Sequence, residues 1–137
     1  MRPLLKVSKI FSFIASPILI LIGIINYISV TSSFDLSNSA QISAGMIYLL
    51  LSVGGAIAIF VSGFFIKPDS SIGSKINIYG TVFSLLSTLL HIILAATLYS
   101  SITSILSGLV YALPWYIIVH ALSLLAMFFS INIKKTN

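Results

Sequence analysis

The chain has 137 residues, of which 58% are hydrophobic and 7% charged, and its formal net charge is +5. A soluble globular domain carries about 25% charged residues, so this composition excludes an ordinary soluble fold. The absence of cysteine excludes disulfides, thiolate nucleophiles and cysteine-ligated zinc or iron–sulfur centres. Glutamate is also absent and both aspartates, Asp35 and Asp69, fall in expected loops, which excludes a paired-carboxylate mechanism and a membrane proton wire built on the chain's own carboxylates.

In chain order, Arg2, Lys6 and Lys9 precede an apolar run from Ile10 to Thr31, which Ser32, Ser33 and Asp35 end. A secretory signal has an apolar core of about 7 to 15 residues, so the longer run predicts an uncleaved first span over 10–31. Pro17 lies inside it as a tolerated membrane proline. After the polar stretch from Asp35 to Ser43, a second span is expected over 44–66. Lys67, Pro68, Asp69, Gly73 and Lys75 then make a short solvated loop. From Ile76 to Ile133 no charged residue occurs, and this stretch must hold two crossings of about 20 residues each and a turn. We place the third span at 76–98 and the fourth at 112–133. Tyr99 to Tyr111 lies between them in the interface, and Pro114 stands in the first turn of the last helix, where its missing N–H costs nothing.

Four spans put all seven basic residues on one side of the bilayer: Arg2, Lys6 and Lys9, then Lys67 and Lys75, then Lys134 and Lys135. A three- or five-span arrangement scatters them. The positive-inside bias makes that side cytoplasmic. The expectation is an all-α integral membrane bundle of four transmembrane helices in one domain, residues 1–137, with both termini inside. The excess of Ile, Lys and Asn over Arg points to an AT-rich prokaryotic genome, and hence to a plasma membrane. Because the basic residues sit only at segment ends, the positive charge orients the chain among lipids and gives no face for nucleic acid.

Tyr27, Tyr48, Tyr99, Tyr111, Trp115 and Tyr116 fall near the expected outer ends and form an aromatic belt. Small residues recur at helix-packing spacing, with Gly54, Ala58 and Ser62 on the second span and Gly80, Ser84, Ser87 and Thr88 on the third. The plainer reading is packing within one bundle; the alternative is a face for a partner subunit.

Ionisable side chains inside a membrane are costly to bury and invite a functional hypothesis. His91 and His120 are the two here, and the expected spans place both about 12 Å below the outer edge. Two imidazoles at one depth on antiparallel neighbours could ligate a haem b iron from both sides. Ser84, Ser87, Thr88 and Ala95 would leave a narrow face for the macrocycle. No Arg or Lys lies near to pair with its propionates. The competing reading hydrogen-bonds each histidine inside the bundle, with Asn26 at similar depth as a partner; a quinone or proton-handling role is a third. Gly73, Ser74 and Lys75 lack the upstream glycine of a phosphate-binding loop. Two histidines are too few for another metal site without ligands from a partner.

With no carboxylates in its spans and no soluble catalytic domain, the chain is expected to be a small non-catalytic accessory subunit of a larger membrane complex, a respiratory complex being one such assembly. The alternatives are an electron-transfer subunit holding haem b between His91 and His120, and a small transporter or channel whose polar path would rest on Asn26, Ser52, the histidines and hydroxyls.

Overall fold

The computed structural model describes residues 2–32, 35, 37–67, 69–98, 117–118, 120–121, 124–129 and 131. It is all-helical. Three helices, α1 (Arg2–Thr31), α2 (Ser39–Phe65) and α3 (Ile72–Leu98), follow one another up and down. The stretches Leu5–Ser29, Ser39–Phe65 and Ile72–Leu94 are each long and apolar enough to cross a membrane. The described residues of 117–131 are also helical, but no fourth helix of membrane-crossing length is found among the described residues. Tyr99 to Tyr116, Lys134 and Lys135 lie outside the described residues. So does much of the expected fourth span.

All three helices begin before the apolar runs do. α1 starts at Arg2 and carries Lys6 and Lys9 within it, because a lysine on a helix end can lay its aliphatic stem along the apolar surface and keep its ammonium at the interface. α3 starts at Ile72 rather than 76 and includes Lys75 for the same reason. α2 starts at Ser39 because Asn38 caps it: the Asn38 side chain accepts from the backbone N–H groups of Ala40 and Gln41, two of the donors that a helix start leaves free. Gln41 in turn accepts from the Asp35 N–H (2.9 Å). Asp35 accepts from the Ser37 hydroxyl and N–H, and these bonds hold its carboxyl below the usual aspartate range. At the other turn, the Ile66 N–H donates to Ser62 O (2.9 Å), and Lys67 and Ser70 pair their backbones.

The distribution of side chains inverts that of a soluble protein. Large apolar residues such as Leu21, Ile28, Met46, Leu50, Phe64, Leu86 and Leu89 are exposed, whereas Ser8, Ser12, Ser16, Ser62, Asn77, Thr81, Ser84 and Ser87 are buried. In water such an exterior would be an aggregation hazard; against lipid tails it is the stable arrangement. Lipid gives helices no hydrophobic reason to associate, so close backbone approach and interhelical hydrogen bonds must hold them together. In the middle of the bundle a close backbone approach joins α2 to α3. A Cβ added to Gly55 would lie 2.8 Å from Gly80 O, and one added to Gly80 would lie 2.8 Å from Gly55 O. Two glycines facing each other therefore let the backbones touch.

Candidate functional site

The buried polar residues follow the helical repeat. Ser8, Ser12 and Ser16 stand four apart on α1, and Asn77, Thr81, Ser84 and Thr88 line one face of α3. Near the lysine-bearing end, Ser8 Oγ donates to Ala126 O (2.8 Å) and Ser12 Oγ to Ser8 O (3.0 Å). The Asn77 amide donates to Ser12 Oγ (3.0 Å) and Ser62 Oγ (2.9 Å), so one side chain of α3 holds α1 and α2 at once. Ser62 passes its own proton to Ile59 O (2.6 Å). One turn further along, Ser16 Oγ donates to Ala56 O (2.7 Å).

Beyond the glycine contact the bundle changes character. Ser84 O accepts from Ser87 Oγ (2.6 Å) and Thr88 Oγ1 (3.3 Å). Thr88 Oγ1 also lies 2.7 Å from His120 Nε2. Tyr48 and Leu94 are buried together, with Tyr27, Ala44 and Leu90 packed around them. The His91 ring rests on Tyr48, centroids 5.6 Å apart at 40°.

The two histidines thus have different neighbours: α3 for His120 and α2 for His91. The described contacts do not pair the two rings with each other. A bis-imidazole site needs one nitrogen of each ring aimed at a shared iron, and His120 sets its Nε2 against the Thr88 hydroxyl. Among the described residues no group of three metal-ligating side chains converges.

Ser52 is buried on α2 and lies against Gly23 of α1; Asn26 is half-buried on α1. Of the small residues expected to pack, Ser62 is buried and Gly80 makes the close approach to α2, while Ala58 is half-buried. Gly54 departs from the expectation. It is exposed, and a side chain added there would meet nothing within 4 Å; the close approach belongs to Gly55. Neighbouring helix positions differ by about 100°, so a one-residue error turns the face outward. The residue that sequence reasoning missed is Asn77. It is the second residue of the expected third span, and the column of small polar residues at intervals of three and four that it begins is present in the sequence.

No family model, no curated protein and no solved structure matches this chain. The case for function rests on its own residues.

Proposed function

We propose that the chain is a non-catalytic accessory subunit of a larger membrane complex, set in the plasma membrane of a prokaryote by four spans with both termini cytoplasmic. One observation carries this reading: several interior hydroxyls are committed to backbone carbonyls, Ser8 to Ala126 O, Ser16 to Ala56 O and Ser62 to Ile59 O. Side chains spent in this way fix helix positions and are not offered to a substrate. The fourth span is supported by the course of the C-terminal segment. Ala126 meets the start of α1 and His120 meets the later part of α3, the direction of a helix returning to the lysine-bearing side.

Isolation from native membranes in mild detergent should give comigration with larger proteins. A monodisperse chain without partners would overturn the accessory reading. The chain has no cysteine, so topology can be mapped cleanly with single cysteines. Ser37→Cys and Ser70→Cys should react with an impermeant thiol reagent from opposite sides of the membrane, and Thr136→Cys from the same side as Ser70→Cys. Labelling of Thr136→Cys from the side of Ser37→Cys would exclude four spans.

A second reading, a small transporter or channel, is favoured by the face of α3, which from Gly73 to Ser87 buries only small and polar residues. Ion flux in proteoliposomes that Asn77→Ala abolishes would favour it. Flux no greater than in empty vesicles would remove it.

A further inference from the structure

Asn77 and Thr81 are 0% and 1% exposed and one helical turn apart on α3. Each carries an oxygen whose bonding is incomplete. The Asn77 amide nitrogen serves Ser12 and Ser62, which fixes the amide's orientation and turns Oδ1 away from both hydroxyls. Among the described residues neither Asn77 Oδ1 nor Thr81 Oγ1 has a hydrogen-bond partner. Residues four apart on a helix project to the same side with about 5–6 Å between their Cβ atoms, a separation that one small molecule can bridge. Buried oxygens of this kind inside an apolar medium are costly when dry, and in folded proteins they are met by internal water that takes about three polar partners.

We propose that Asn77 Oδ1 and Thr81 Oγ1 bind a single internal water molecule in the bundle core, beside the point where α3 joins α1 and α2. The water donates one proton to Asn77 Oδ1 and exchanges a second hydrogen bond with the Thr81 hydroxyl. A cation suits the site less well: two free oxygens fall short of the roughly six that a hard cation takes, and the positive edge of the Asn77 amide is close by. This site goes beyond the accessory role and does not depend on it. It assigns a place among the described residues where hydrogen bonding in the core closes through solvent.

The test is water-edited solid-state NMR of the full chain in deuterated lipid bilayers, with threonine and asparagine labelled. The expected result is magnetisation transfer from water to the Thr81 and Asn77 side chains. Thr81→Val, which keeps the shape and removes the hydroxyl, should reduce or abolish the transfer to Asn77 while Asn38, in the solvated turn, keeps its own. Wild-type spectra in which Asn38 receives magnetisation and both Asn77 and Thr81 do not would overturn the proposal. So would Thr81 shifts that follow sodium or potassium concentration, since they would put a cation in the place of water.

Discussion

The two ends of the bundle are held by different forces. At the lysine-bearing end, Ser8, Ser12, Ser62 and Asn77 tie three helices and the C-terminal segment through directional bonds. At the opposite end, Tyr27, Tyr48, Leu90 and Leu94 fill the space with rings and branched chains. Interhelical hydrogen bonds in membranes contribute only about 0.6 kcal/mol each on average, and 1.7 at most. A void left by a large side chain costs more, because the lining atoms lose their contacts outright. The lysine-bearing end therefore has both directional bonds, which fix register, and a phenylalanine cluster of Phe13, Phe60 and Phe64, whereas the opposite end relies mainly on packing.

The largest effect should come from the contact between the two ends. Gly80→Leu must push α3 away from Gly55 and should cost about 3 kcal/mol or more in reversible unfolding by steric trapping in bicelles. A loss below about 1 kcal/mol would mean that the helices do not meet at these glycines. Tyr48→Ala should cost about 2–3 kcal/mol, mostly as a cavity, since lipid rather than water is the alternative surrounding. Asn77→Ala removes two hydrogen bonds and should cost about 1–2 kcal/mol by the same measurement. If Asn77→Ala proved costlier than Tyr48→Ala, directional bonds rather than packing would supply more of the cohesion. Thr88→Val should cost about 0.6 kcal/mol and move the His120 ring nitrogen resonances, leaving those of His91 in place; a joint displacement would couple the two rings that the structure keeps on separate neighbours. Smallest of all, Gly54→Leu should change stability by no more than about 0.5 kcal/mol. A large penalty there would restore Gly54 to a packed interface, within the bundle or with a partner.

The three long helices were legible because apolar runs of sufficient length, bounded by lysines and polar turns, leave few other readings in a membrane. Their starts were less legible. A charge ends an apolar run without ending a helix, as Lys6, Lys9 and Lys75 show, and the Asn38 cap that opens α2 depends on turn geometry that composition does not reveal. The candidate site was legible in kind but not in detail. Ser84, Ser87 and Thr88 were singled out as small polar residues facing inward, and all three join the same local hydrogen-bond group. Equal depth of His91 and His120 suggested a shared ligand, but depth is one coordinate of three. The rotation of each helix, which sends His91 to Tyr48 and His120 to Thr88, is set by packing. The same missing coordinate separates Gly54 from Gly55.

The short turn from Ile66 to Ser71 bears on how the protein is made. Few residues separate α2 from α3, so the entropy lost in bringing them together is small, and both the glycine contact and the Asn77–Ser62 bond lie within this pair. A helical hairpin can thus complete its own internal pairing as it leaves the insertion machinery. α1 can meet α2 first, through Ser16 and the Ala56 carbonyl, and gains the Asn77 amide for Ser12 when α3 follows. Each helix thus finds contacts on the one made before it, and Asn77 closes the group by reaching two helices at once.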